Sequence, residues 1–178
     1  MFTEFPKAYG RVQLKTWGEW VDEYLQRSIQ REGNLHEAIQ RAERDGFVPL
    51  RTTAENNAVE NVGFDLLLSF LGGSSATGIQ YVALGVSNAA PTGVETQLPD
   101  EQIRTAVSSV SQSPLQLIVT GYFDPTQANV LLGSAALFGN GATATANSGT
   151  IYSYVVYNQF TKNNLESLTA QWTLGFSR

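Results

Sequence analysis

The chain has 178 residues, with 16 acidic against 11 basic side chains for a formal net charge of −5, and it contains no cysteine. This length fits one domain plus an appendage, and the negative balance argues against a phosphate-neutralising surface, so nucleic acid is not an expected partner. The lack of cysteine excludes thiol catalysis, disulfides and a cysteine-bound zinc, and no stretch approaches the roughly 18 apolar residues of a membrane span, so a membrane is not an expected partner either.

The first segment, residues 1–15, is predicted to be an extended N-terminal arm, and it lacks the apolar core of a signal peptide. Three aromatic side chains, Phe2, Phe5 and Tyr9, lie in a stretch that proline and glycine interrupt, which leaves them little local structure to pack against. Two interpretations stay open. The aromatic side chains pack on the chain's own domain, or they contact a neighbouring subunit.

Residues 16–72 are predicted to be a helical region, and its first helix covers residues 16–33. Thr16 can cap this helix with Glu19 three residues later, which is the capping-box pattern. Apolar side chains at helical spacing define one face of it: Trp17, Trp20, Val21, Tyr24 and Leu25. Such a stripe is typical of core packing, but its two tryptophans are also candidates for contact with a partner.

Two further helices complete the helical region. Asn34 and Glu37 repeat the capping pattern before a second short helix that Gly46 closes. A third helix is predicted from about Ala54 to Leu71, with an apolar face rich enough to anchor against a sheet.

Residues 73–178 are predicted to form an antiparallel β domain. Strand candidates with apolar or alternating patterns are separated by turn-rich segments: 79–86, 103–110, 115–123, 151–157 and 167–178. Strands at this spacing with short turns indicate a β-sandwich or jelly-roll-like sheet, and so a mainly β fold with an N-terminal helical appendage. The loop at residues 140–149 is rich in glycine, alanine, threonine and asparagine, which predicts a flexible tip.

The strand at residues 151–157 is apolar or aromatic on both faces. Simple alternation puts Tyr152 and Tyr154 on one face and Ile151, Val155 and Tyr157 on the other. We therefore expect this strand to be covered twice, the second time by the N-terminal helices or by another subunit. Tyr152 and Tyr154 are candidate contact residues.

The sequence shows no catalytic set. The single histidine, His36, has no nucleophile or second polar partner nearby in the pattern, so we interpret it as a solvated helix residue. The G-x-x-x-x-G outline at residues 73–78 lacks the lysine and hydroxyl residue that a phosphate loop needs.

Eight carboxylates are dispersed over residues 52–178, so we predict no catalytic residue, metal site or cofactor. A hydrolase would need two of them about 5 to 10 Å apart in a cleft, and a calcium site built from loop carbonyls stays open.

Several short motifs succeed one another in the second part of the chain: Asn61–Leu67, Tyr81–Gly85, Leu98–Arg104 (LPDEQIR), Ala136–Gly139 and Ser167–Phe176. In this order, over about residues 60–177, they resemble a group of small virion proteins of tailed bacteriophages. Residues 1–50 carry no such resemblance.

The resemblance implies a non-enzymatic structural protein located in the virion. We place a capsid decoration protein first, with a tail, baseplate or fibre-attachment component as the alternative. The expected partners are the chain itself, as a trimer or ring, and other phage structural proteins. The alternative from another class is a carbohydrate-binding module, in which exposed Tyr152 or Tyr154 would stack on sugars, so the exposure of these tyrosines discriminates between the two.

Overall fold

The structure, a computed structural model, describes residues 7–177, and within them the side chains of residues 9–175. Over this range the chain forms nine strands and three helices. The strands are β1 (Lys7–Gly18), β2 (Arg51–Asn56), β3 (Ala58–Val59), β4 (Ile79–Gly85), β5 (Glu101–Ser113), β6 (Gln116–Phe123), β7 (Leu131–Gly139), β8 (Thr150–Thr161) and β9 (Glu166–Ser177). The helices are α1 (Glu19–Glu32), α2 (Leu35–Arg44) and α3 (Asn61–Leu71).

The described strands form one antiparallel sheet in the order β2-β1-β9-β6-β5-β4-β7-β8-β3. Only Asn57 separates β2 from β3, yet β2 pairs with β1 at one edge and β3 pairs with β8 at the other. This segment therefore nearly closes the sheet on itself. The predicted mainly β, antiparallel fold is confirmed. The predicted sandwich or jelly roll is not confirmed, because the long β5 joins β4 to β6 in one continuous sheet.

The interior of the sheet is filled by side chains from alternate positions along the strands. Val12 and Leu14 of β1 meet Leu168, Ala170 and Trp172 of β9 there, and all five are buried. The predicted alternation of the C-terminal strand is confirmed at the three β9 positions. Such burial removes apolar area from water and supplies the main driving force for folding.

The helices α1 and α2 form a hairpin that packs on the outer face of the sheet. Its apolar side packs against Trp17 of β1 and is built from residues that the structure buries together: Val21, Leu25, Leu35, Ile39 and Ala42. The predicted cap of the second helix is confirmed, since the Asn34 side chain accepts hydrogen bonds from the backbone N–H groups of His36 and Glu37. Asn34 also donates to Ser111 of β5 at 2.8 Å. The hairpin is thus bonded to the sheet as well as packed on it.

The prediction of an arm over residues 1–15 and a helix from Thr16 is wrong for the described part. Residues 7–18 form one strand, in which Gly10, Val12, Leu14 and Thr16 are buried in alternation. The first helix begins at Glu19, after Gly18, and it has no side-chain cap. Both neighbours of β1 are strands, so tertiary pairing overrides the local capping pattern. Phe2 and Phe5 lie outside the described residues.

The third helix begins at Asn61 and not at Ala54, because residues 51–59 supply the two strands that nearly close the sheet. Gly63 lets α3 approach β8 closely, since a Cβ at this position would lie 2.3 Å from the carbonyl oxygen of Tyr152. No side chain fits at that distance without a shift of the backbone.

Replacing Gly63 with alanine is therefore expected to lower the free energy of unfolding by about 1–3 kcal/mol, the usual cost of overpacking. Helix propensity alone would give the opposite sign, because alanine favours a helix over glycine by roughly 1 kcal/mol. Urea unfolding measures the difference. Gly78→Ala is the matched control, because a Cβ there meets no atom within 4 Å. A stabilised Gly63→Ala variant would contradict the close approach.

Candidate functional site

An apolar cleft of about 400 Å³ lies at the end of the sheet where β1 begins and β9 ends. We call this end of the molecule the cleft end. One wall of the cleft comes from α3, through Leu66, Leu67 and Phe70. The other comes from the ends of four strands, through Ile79, Leu117, Tyr152 and Leu174. The interior of the sheet therefore reaches the surface here as a concave apolar site.

The rim of the cleft is polar but uncharged among the described residues. Tyr9 and Gln116 lie on it, and the Gln116 side chain donates a hydrogen bond of 2.8 Å to the Tyr9 hydroxyl. No Asp, Glu, Lys, Arg or His lines the described part of the cleft. Its chemistry suits an apolar or aromatic group, and it does not suit a charged substrate.

Leu115 projects from the turn between β5 and β6 at the rim of the cleft. It is 64% exposed, and its backbone φ is 64°, in the left-handed region. Glycine is the residue that adopts this conformation without strain, whereas a branched side chain there is an outlier. The chain therefore holds an exposed leucine at a position where folding alone would favour glycine.

A second apolar surface adjoins the cleft on the outer side of α3. Phe64, Leu67, Leu68 and Leu71 match the i, i+3, i+4, i+7 spacing of one helix face, which we call the α3 stripe. Leu68 and Leu71 are 64% and 79% exposed. The exposed face of a surface helix is normally polar, whereas this exposed face is apolar. The α3 stripe thus has the character of a contact surface.

The predicted contact residues do not come together in one place. Tyr9 and Tyr152 meet in the cleft. Trp20 lies elsewhere, 68% exposed and edge-on to Phe47 with 5.2 Å between ring centroids. Trp17 is fully buried, and its indole N–H donates to Thr169 at 3.0 Å. Trp17 is therefore a core residue, so a partner does not reach it.

Tyr152 and Tyr154 do not share a face, contrary to the prediction. The pairing of β7 with β8 skips Tyr152, because Leu137 lies opposite Ser153 and Phe138 lies opposite Ile151. This irregularity turns Tyr152 towards the interior cluster, while Tyr154 packs in a separate outer cluster. One extra residue in a strand ladder changes the face on which the neighbouring side chains lie.

The expected double cover of β8 is confirmed, and α3, the third helix of the predicted helical region, supplies part of it. Val155 packs in the interior cluster and Ile151 in the outer one. The outer side is covered by α3 and by the segment between β4 and β5, where the buried Tyr154 hydroxyl donates to the Ala89 carbonyl at 2.7 Å. Tyr154 is thus buried within its own chain and is not a contact residue.

Two carboxylates meet at the start of α3, and the sequence pattern did not indicate this. Glu60 is fully buried, and its Oε2 accepts a hydrogen bond of 3.2 Å from the backbone N–H of Glu95. Burial and the neighbouring Glu95 raise the pKa of Glu60 to about 7. Desolvation also acts on Glu95, but hydrogen bonds from the backbone and hydroxyl of Thr92 outweigh it and lower its pKa to about 2.

This pair does not form the cleft that a hydrolase would need. The Glu60 side chain is enclosed, and neither carboxylate lines the apolar cleft. The pair instead ties the segment between β4 and β5 to α3, together with the bond from the Asn61 N–H to the Gly93 carbonyl at 2.9 Å.

Glu60 is expected to make stability depend on pH. Its carboxyl binds a proton up to about pH 7 when folded, against an ordinary pKa of 4.5. Between these values the folded state holds more protons, so the free energy of unfolding falls as the pH rises. Glu60→Gln removes this fall and stabilises the chain at pH 8 by about 1–3 kcal/mol. Urea unfolding at pH 5 and pH 8 measures the change in the free energy of unfolding between these pH values, and the exposed Asp65→Asn is the control. If this change is the same in Glu60→Gln and in the parent, Glu60 is not its source.

The loop at residues 140–149 is clamped to the sheet, contrary to the predicted flexible tip. Arg104 donates from its Nη1 atom to the carbonyls of Thr143 and Ser148, both at 3.1 Å. Its Nε atom donates to Glu101 at 2.6 Å, and Glu101 also accepts a hydrogen bond from the backbone N–H of Asn147. Both charged side chains are almost completely buried.

The remaining charged groups give no sign of a catalytic centre in the described part of the chain. His36 is half-buried and contacts Gln171 and Gln40 at 3.1 and 3.0 Å, which corrects the predicted solvated position. Arg104 and Lys162, the basic residues of the range 52–177, are both buried.

Among residues 7–177, no cluster of His, Asp and Glu has the arrangement of a metal site. Within the same range, none of the helices has the length and apolar character needed to cross a membrane.

No family model, curated protein or solved structure matches this chain.

Proposed function

We propose that this chain is a non-enzymatic structural protein of a bacteriophage virion that self-associates and docks on other particle proteins, with capsid decoration as its first assignment. The observation that carries the assembly role is the apolar surface at the cleft end, formed by the cleft, Leu115 and the α3 stripe. Contiguous apolar surface of this kind typically marks a protein contact site. The assignment to a phage particle rests on the sequence resemblance over residues 60–177.

The conformation of Leu115 supports an assembly role. A leucine in the left-handed region costs roughly 1–2 kcal/mol relative to ordinary backbone, and its exposed side chain contributes little packing within its own chain. A residue kept at such a cost is explained by a contact made outside the chain.

Carbohydrate binding loses part of its support, because Tyr154, one of the two tyrosines that would stack on sugars, is not exposed. Tyr154 is buried and Tyr152 forms part of the cleft wall. Position in the tail, baseplate or fibre attachment remains the alternative within the virion.

The solution mass of the purified chain by light scattering tests the assembly role. We expect a discrete oligomer such as a trimer or ring. Peptides of this chain in the mass spectrum of purified, salt-washed phage particles test the virion assignment. A chain that stays monomeric at all concentrations and is absent from the particles would overturn the proposal.

Leu115→Gly separates folding from assembly. It relieves the left-handed strain, so we expect the free energy of unfolding to be unchanged or to rise by up to about 1 kcal/mol. It also removes an exposed apolar contact, so the oligomer should dissociate at a higher protein concentration than the parent does in the same light-scattering experiment. Leu165→Gly, in the turn between β8 and β9 at the opposite end of the sheet, is the control for loss of an exposed leucine. If Leu115→Gly and the control associate equally, Leu115 is not a contact.

A further inference from the structure

The cleft is apolar and has a volume of about 400 Å³, so it suits an apolar occupant of limited size. We propose that this occupant is the N-terminal segment, residues 1–6, of a second copy of the chain, with Phe2 and Phe5 as its aromatic anchors. This inference rests on the self-association proposed above and names one contact that would produce it. Aromatic side chains seated in a desolvated pocket are the usual anchors of a protein interface.

The described chain begins beside the cleft. Lys7 pairs with Ser177, and Tyr9 pairs with Gly175. Tyr9 and Gly175 themselves line the cleft. Because β1 runs from this end of the sheet to the other, the residues that precede Lys7 join the chain at the cleft end. Two aromatic residues thus lie within a few positions of an apolar site that lacks an occupant among the described residues.

The local sequence favours a second copy over the chain's own cleft. Only three residues separate Phe5 from Tyr9, and two of them, Lys7 and Ala8, are held in the ladder with β9. A return of Phe5 to its own cleft would have to be made at Pro6 alone. A residue before proline favours extended backbone, so this reversal is disfavoured. Six extended residues span about 20 Å, enough to reach a neighbouring molecule.

The chemistry of the segment matches that of the cleft. The sequence MFTEFP carries a single side-chain charge, at Glu4, between its two phenylalanines. The cleft wall is apolar, and its rim offers the amide groups of Gln112 and Gln116 and the hydroxyl of Ser113. Apolar rings fill such a wall, and the amide and hydroxyl donors of the rim suit the carboxylate and backbone carbonyls of the segment.

Cross-linking between two variants tests this contact. The chain has no cysteine, so each introduced thiol is unique. Thr3→Cys places a thiol between the two phenylalanines, and Ser113→Cys places one on the exposed rim of the cleft. A short bifunctional thiol reagent is added to an equimolar mixture of the two full-length variants, and linked peptides are identified by mass spectrometry.

We expect Thr3→Cys to link to Ser113→Cys at least about tenfold more than to Asn164→Cys, because seating raises the local concentration of the two thiols. Asn164 is exposed in the turn between β8 and β9 at the opposite end of the sheet. Adding Phe2→Ala and Phe5→Ala to the Thr3→Cys chain should remove the excess. Unchanged thermal unfolding of the Ser113→Cys variant confirms that its fold is intact.

Two results would overturn the inference. A link that forms only within the double variant carrying both Thr3→Cys and Ser113→Cys would place the segment in its own cleft. Equal linking to Ser113→Cys and Asn164→Cys would exclude the cleft as its receptor. If light scattering still shows an oligomer after either result, self-association is retained and only the contact between residues 1–6 and the cleft is rejected. If the chain is a monomer and no link forms, both self-association and this contact are rejected.

Discussion

Replacing Arg104 with leucine is expected to lower the free energy of unfolding by about 3–5 kcal/mol, the usual cost of leaving one partner of a buried ion pair behind. The side chains of Arg104 and Glu101 are 2% and 1% exposed. Without the guanidinium, the Glu101 carboxylate is a buried charge whose remaining partner is the Asn147 N–H. The carbonyls of Thr143 and Ser148 lose their donor as well.

Urea unfolding gives the size of this effect, and limited proteolysis shows where it acts. We expect new cleavage within residues 140–149, because Arg104 holds this loop. Adding Glu101→Gln to Arg104→Leu should recover part of the loss, since the buried negative charge is then gone. Arg27→Leu is the matched control, because its pair with Glu23 is solvent-exposed and is worth less than about 1 kcal/mol. A loss in Arg104→Leu no larger than in the control would show that the clamp does not stabilise the fold.

The sequence predicts best those elements that carry a regular apolar pattern or a capping residue. The alternation of Leu168, Ala170 and Trp172 and the cap at Asn34 are both present in the structure as expected. In β1 the alternation of Val12 and Leu14 is visible too, but it runs directly into apolar residues at helical spacing around Trp17. Two periodicities overlap there, and the choice between them depends on long-range pairing with β2 and β9.

Elements without a regular apolar pattern are the ones that sequence reasoning missed. Strand β7 is buried on both faces over most of its length, so it shows no alternation and reads as a run of small and apolar residues. Strand β2 is polar and largely exposed, so it shows no apolar pattern at all. Its assignment as a strand comes from its pairing with β1, which no local signal reveals.

The candidate site could be predicted only in part. The apolar residues of α3 are plain in the sequence, but which of its faces is covered depends on the close approach at Gly63. The cleft draws its walls from α3 and four strands that are far apart in the chain. Glu60 and Glu95 are 35 positions apart in the chain, so the opposite shifts of their pKa values are also a product of the fold. Tyr152 changes face because of an irregular ladder that the sequence does not mark.

The α3 stripe gives the second large expected effect, this time on assembly. The double substitution Leu68→Lys with Leu71→Lys should convert the oligomer into a monomer in light scattering, with association weakened by about 100-fold or more. Each lysine would have to be desolvated against apolar surface in the associated state. Because both leucines are mostly exposed in the single chain, the free energy of unfolding of the monomer should change by no more than about 0.5 kcal/mol.

The control for this double substitution keeps the added charge and moves it away from the cleft end. Val48 and Leu165 are comparably exposed and lie near the opposite end of the sheet, so Val48→Lys with Leu165→Lys should leave the mass of the oligomer unchanged. Dissociation in both variants would mean that net charge governs association, because the two variants gain the same charge. An unchanged oligomer in the α3 variant would show that the stripe is not the interface. A large loss of stability in its monomer would mean that the stripe packs within its own chain, so the apolar character of α3 would serve folding and not assembly.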